Sequence, residues 1–248
     1  MSSIRNTWVV CQREIGAYFF SPMAYVVLFL FALTNGVLFH TYCLFFANEP
    51  QQITLVIENL YGFNLFWILP LSPLLTMRLF AEEKRTGSME MLMTAPVREV
   101  EVVLGKFFAA QVFYMFVWLS LVPLLVVLGI LGSPDWGPVM AIYWGLFAIG
   151  LLTNALGVFA SAGTRNQLVA AILALTGNLA FMLISMAQGF ARESPDMQRV
   201  IHYLSYTAHF AADYTRGIVD LRYFVFYLTF ASLFLFLTVR MLEARKWR

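Results

Sequence analysis

Six stretches of this chain pass without a single Asp, Glu, Lys or Arg, near residues 24–46, 60–77, 107–131, 139–161, 168–190 and 223–239. A helix needs about 20 apolar residues to cross about 30 Å of hydrocarbon. One such run can be the buried helix of a soluble core. Six in 248 residues leave no amphipathic outer layer to cover them. Only 12% of residues are charged, against about 25% in ordinary soluble domains. The expectation is an all-α polytopic membrane protein, a single transmembrane domain over residues 1–248 with six transmembrane helices. The net charge of +2 gives no reason to expect a nucleic-acid partner, and membrane lipids are the expected surroundings.

Residues 1–20 contain Arg5, Gln12, Arg13 and Glu14, which interrupt any signal-peptide apolar core. Ile4, Trp8, Cys11, Ile15 and Tyr18 or Phe19 recur at helical spacing there. This predicts an interfacial amphipathic helix over residues 3–20, with Ser21-Pro22 starting the first span. Twelve of the sixteen Lys and Arg fall on one side of the resulting topology. That side, with both termini and the loop from Arg78 to Lys106, is expected to be cytoplasmic. Cys11 and Cys43 then lie on opposite sides, as packing residues rather than a disulfide.

The Arg78–Lys106 loop carries the strongest local signals. The second span continues past the hydrocarbon through Glu82, Glu83, Lys84 and Arg85. Gly87 can take the left-handed conformation that ends a helix. Ser88 can cap a second short helix, Met89 to Thr94, with Glu90 in its first turn, and Ala95-Pro96 stops it. Met89, Met91, Leu92 and Met93 then mark either a docking site for another protein or a segment lying flat among headgroups. No phosphate-binding Gly-x4-Gly-Lys-Ser/Thr loop occurs, and Gly105-Lys106 lacks its flanking elements. Glu82-Glu83 lacks the following arginine of an intramembrane protease motif, because that position is Gly87. No Gly-x-Ser-x-Gly elbow occurs either. His202 and His209 have no nearby cysteine or placed carboxylate, so a structural role is expected rather than a metal site. Asn35, Asn64, Gln111, Asn154, Asn178 and Gln188 interrupt the spans and either join helices or line a path.

These residues resemble the permease subunits of the ABC-2 family of ATP-driven transporters, in particular those associated with gliding motility and nitrous oxide reductase maturation. The likeness runs through Arg13-Glu14, Tyr18 to Tyr25, Pro70 to Arg78, Glu82 to Leu92, Thr94-Ala95-Pro96 and Gly105-Lys106-Phe107. It continues weakly through Leu204-Ser205, His209-Phe210 and Arg216 to Asp220. Ser88 stands where the family often has Thr.

The resemblance implies a coupling helix between the second and third spans, seated in a separate cytoplasmic ATPase. Glu82, Glu83, Arg85, Gly87, Met91, Leu92 and Pro96 would transmit motion. Arg13, Glu14 and Tyr18 would belong to the connecting interfacial helix. Tyr203, Ser205, His209 and Gly217 would belong to an outer gate, although a passive interfacial cap fits the same stretch. The resemblance also implies a dimer of permease copies or paralogues in a prokaryotic plasma membrane, with ATP and Mg²⁺ bound by the partner and no cofactor in this chain. The alternative is an ATPase-independent secondary transporter or channel. The charge-free spans speak against it, because ion coupling commonly uses buried ionisable groups. No acid, base or metal set marks a membrane enzyme.

Overall fold

The structure, a computed structural model, describes residues 2–46, 53–88, 97–132, 134–184, 186 and 195–246. The helices are α1 (Ser2–Phe19), α2 (Pro22–Phe46), α3 (Ile53–Thr76), α4 (Arg78–Thr86), α5 (Glu99–Leu119), α6 (Val122–Leu131), α7 (Trp136–Gly163), α8 (Gln167–Leu183), α9 (Pro195–Leu204), α10 (Tyr206–Ala212) and α11 (Leu221–Lys246), with a 3₁₀ turn at Tyr214–Arg216 between the last two. Cys11 and Cys43 are both free.

Among the described residues, five helical segments are long and apolar enough to cross a membrane. They are α2, the pair α3–α4, the pair α5–α6, α7 and α11. α8 is apolar but has only 17 residues, about 25 Å at the helical rise. The expected fifth span reached residue 190, and residues 187–190 lie outside the described set. The chain is an all-α, multipass integral membrane protein.

Two spans are broken where the sequence demands it. Pro123 has no N–H to continue the ladder of α5, and the helix restarts at Val122 after a turn at Ser120 and Leu121. α3 carries Pro70 and Pro73 and gives way to α4 at Met77. Ser161 of α7 seals that break. Its Oγ accepts from the Phe80 and Ala81 N–H groups at 3.1 Å each and donates to the Met77 carbonyl at 2.9 Å. Unpaired backbone groups at a helix start would otherwise be costly in an apolar setting.

α7 is the central helix. Of its most apolar stretch 78% is buried, against 22% for α2 and 28% for α11, so α2 and α11 form the periphery. Small residues on α7 let its neighbours approach closely, as in many membrane bundles. Tyr114 lies over Gly150, Tyr214 over Gly145 and Thr76 over Gly157. The polar residues inside the spans mostly join helices. Asn64 donates to Asn35 at 2.5 Å, linking α3 to α2. Asn154 donates to Gln111, which donates to the Phe147 carbonyl, linking α7 to α5. Asn178 is buried on α8, and Gln188 lies outside the described residues.

A side-chain carbon added at Gly157 would sit 2.0 Å from Thr76 Oγ1. Gly157→Val is therefore expected to destabilise the bundle by about 3 kcal/mol, at the upper end for overpacking. The check is a thermal unfolding curve in detergent, with Thr76→Ala recovering part of the loss.

Candidate functional site

Lys106 and the α1 cation Arg13 converge at the end of the bundle where α4 leaves the apolar region. Lys106 begins the third apolar run, yet its side chain is only 1% exposed. Its ammonium is held by two carboxylates, Glu14 of α1 at 3.0 Å and Glu83 of α4 at 2.8 Å. Arg13 closes the group from outside, 2.6 Å from Glu14 and 3.1 Å from Glu83. The Lys106 ammonium also lies 5.2 Å from the centroid of the Phe80 ring. A charge removed from water needs nearly complete replacement of its hydration. Here two cations and two carboxylates alternate, so each charge faces the opposite sign.

Helix packing makes this meeting possible. α1 lies along α5 because Gly105 has no side chain: a carbon there would come within 2.8 Å of Val10 and 2.9 Å of the Thr7 carbonyl. Glu101, one turn earlier, accepts from the Arg98 N–H at 3.1 Å and from Asn6 of α1 at 3.0 Å. Val10, Cys11 and Tyr18 are buried, while Ile4, Trp8 and Val9 remain exposed. The predicted amphipathic stripe is thus divided between the protein and its surroundings.

The tip of α1 is tied to the α3–α4 junction. The Tyr18 hydroxyl donates to the Leu75 carbonyl at 2.7 Å, and its ring stacks on Phe113 of α5. The Arg78 guanidinium lies 4.6 Å from the Tyr18 ring centroid and donates to Ser21 Oγ at 2.8 Å and to the Ala17 carbonyl at 3.3 Å. Ser21, expected as a cap for the first span, thus accepts from Arg78. Lys84 donates to the Ala162 carbonyl in the last turn of α7, where a cation complements the helix dipole. Gly87 ends α4 with φ +77°, the left-handed conformation expected of it.

The structure therefore unites Arg13, Glu14 and Glu83 and places Tyr18 beside them. Glu82 and Arg85 face a separate cavity next to Arg78. Met91, Leu92, Pro96 and the whole expected helix Met89–Thr94 lie outside the described residues. Sequence reasoning missed Lys106 and Ser161 as connecting groups. A lone lysine opening an apolar run was the available signal for Lys106. Ser161 offered none.

At the opposite end, α9, α10 and the 3₁₀ turn cover the bundle. Ser205 caps α10 by accepting from the Ala208 N–H at 3.2 Å. His209 is buried, stacks on Tyr223 at 3.7 Å between ring centroids and pairs with the Tyr227 hydroxyl at 2.7 Å. Burial, reinforced by the neighbouring His202, pushes the His209 pKa down to about 3. A neutral, stacked imidazole suits the structural role expected of it. Tyr203 packs edge-on to Phe226, and Gly217 ends the 3₁₀ turn at φ +82°. These four residues belong to one aromatic cap.

The fold is that of a multipass helical membrane domain. Residues 46–212 match the family described as ABC-2 family transporter protein, and the chain belongs to that family. It is also similar to the probable multidrug ABC transporter permease YbhS of Escherichia coli strain K12 and to its counterpart in Escherichia coli O157:H7. Each is 32% identical over 162 residues, which is 65% of this chain and 38% of the relative. The chain thus spans well under half the length of these relatives.

Two outcomes follow from the charge cluster. Glu14→Gln combined with Glu83→Gln leaves Lys106 buried without a carboxylate and is expected to cost about 3–5 kcal/mol. Adding Lys106→Met should return most of that loss, as read by thermal unfolding in detergent. Burial alone would raise the Glu14 carboxyl, but Lys106 and Arg13 outweigh it and hold its pKa below the usual value. A depressed folded pKa contributes stability above the unfolded value near 4.3 and loses it as pH falls further. The melting temperature should therefore hold through neutral pH and drop below about pH 4, with a shallower drop in Glu14→Gln.

Proposed function

We propose that this chain is the membrane subunit of an ATP-driven exporter, working with a separate cytoplasmic ATP-binding-cassette ATPase and a second permease copy or paralogue. Both termini and the Arg78–Lys106 loop face the cytoplasm of a prokaryotic cell, as the distribution of cations favours. ATP and Mg²⁺ are bound by the partner, and this chain conducts no hydrolysis of its own.

The observation that carries this reading is the ion cluster formed by Arg13, Glu14, Glu83 and Lys106. It joins α1, α4 and α5 into one block at the end where residues 87–98 connect two spans. Lys84 and Ser161 extend the block to α7. A displacement applied to the 87–98 connection would be passed to the central helix rather than absorbed by a loose loop. A two-state bundle responds to a partner only through differential contacts with its two states, and such a block supplies them. Family membership and the printed description of YbhS as a multidrug permease support the same assignment.

Co-expression with the ATP-binding-cassette ATPases of the same genome tests this. One of them should co-purify, and its ATPase activity should change in the complex. Met91→Asp with Leu92→Asp should abolish association. Lys106→Met should keep association but lose the change in activity. Intact association in the double variant overturns the docking role.

A further inference from the structure

A cavity of about 360 Å³ opens between the start of α2, the α3–α4 junction and the first residue of α8. Its wall has two characters. Met23, Ala24 and Val27 of α2, with Leu74 and Leu75 of α3, make one side apolar. Arg78, Arg85, Glu82 and Gln167 make the other side polar. The cavity lies where the charge-free run of α3 ends and the first cation, Arg78, begins. That is the depth at which a bilayer changes from chains to headgroups.

Arg78 is fixed in place. It is held by Ser21, the Ala17 carbonyl and the Tyr18 ring. Two of its five N–H donors serve those oxygens. Among the described residues, no carboxylate forms an ion pair with Arg78 or Arg85, whereas Arg13 and Lys106 are matched by Glu14 and Glu83. Among the described residues, the two cavity arginines share the wall with one carboxylate, Glu82. The lining therefore carries one net positive charge, which suits a singly charged phosphodiester better than a dianionic phosphomonoester. Guanidinium groups bind phosphate oxygens through directed, charge-assisted hydrogen bonds. The apolar wall is continuous with the polar one, so a ligand bearing a chain would satisfy both.

We propose that this cavity is a binding site for a phosphodiester amphiphile, with the phosphate on Arg78 and Arg85 and an acyl chain along Met23, Ala24 and Val27. Basic pockets between membrane helices are a recurring solution for headgroup binding. Binding is read on this chain alone, with no ATPase present, so its success or failure is separable from that of the transporter reading.

The test uses the purified full chain, delipidated in a non-ionic detergent and followed by native mass spectrometry. Phosphatidylglycerol, diacylglycerol and inorganic phosphate are titrated separately and in competition. Phosphatidylglycerol should bind about tenfold more tightly than diacylglycerol, as expected for charge-assisted hydrogen bonds. Arg78→Gln and Arg85→Gln should each remove most of that preference, and Arg5→Gln, an exposed cation at the same end, should keep it. Arg85 is exposed, so its variant keeps the test valid even if Arg78→Gln disturbs the fold. Unchanged preference in Arg85→Gln overturns the site. Displacement of the lipid by an excess of inorganic phosphate overturns the amphiphile and leaves a soluble-anion site.

Discussion

The Lys106 ammonium loses nearly all its water where the third apolar run begins, and the carboxylates that replace that water come from Glu14 and Glu83, far away in sequence. This constraint organises the charged end of the molecule. Glu14 reaches Lys106 only if α1 lies against α5, which the bare backbone of Gly105 permits. Glu83 reaches it only if α4 is held against α7, which Ser161 and Lys84 ensure. A buried ion pair adds little net stability compared with apolar packing, but an unmatched buried charge is strongly penalised. The cluster therefore works less as glue than as a selector of one arrangement of three helices.

The rest of the bundle follows a different rule. In an apolar solvent there is no hydrophobic drive between helices, so close packing and hydrogen bonds decide which helices meet. α7 is suited to the centre because its glycines admit Thr76, Tyr114 and Tyr214. Its Asn154 meets Gln111 instead of hydrocarbon. α2 and α11 keep broad apolar faces exposed, as helices in contact with lipid or with another membrane subunit can. The break between α3 and α4 is tolerable because a serine from the central helix satisfies the released backbone groups.

The two ends differ in kind. One is rich in paired charge and adjoins the connection between α4 and α5. The other is an aromatic cap in which His209 is stacked and buried. α7 runs between both, touching Lys84 through Ala162 at one end and Tyr214 through Gly145 at the other.

The sequence by itself determined the solvent, the all-helical class and the end of α4 at Gly87. These depend on local composition and on backbone freedom, both of which are written residue by residue. It also marked Arg13, Glu14 and Glu83 as worth attention, though by resemblance and not by any visible connection. Only the tertiary structure decided that they share Lys106, that Ser161 seals a helix break, and that Arg78 and Arg85 line one cavity together with Glu82. The contacts made by Lys106 and Ser161 join residues 23 to 92 positions apart, and helix periodicity carries no information about which faces of two distant helices will meet.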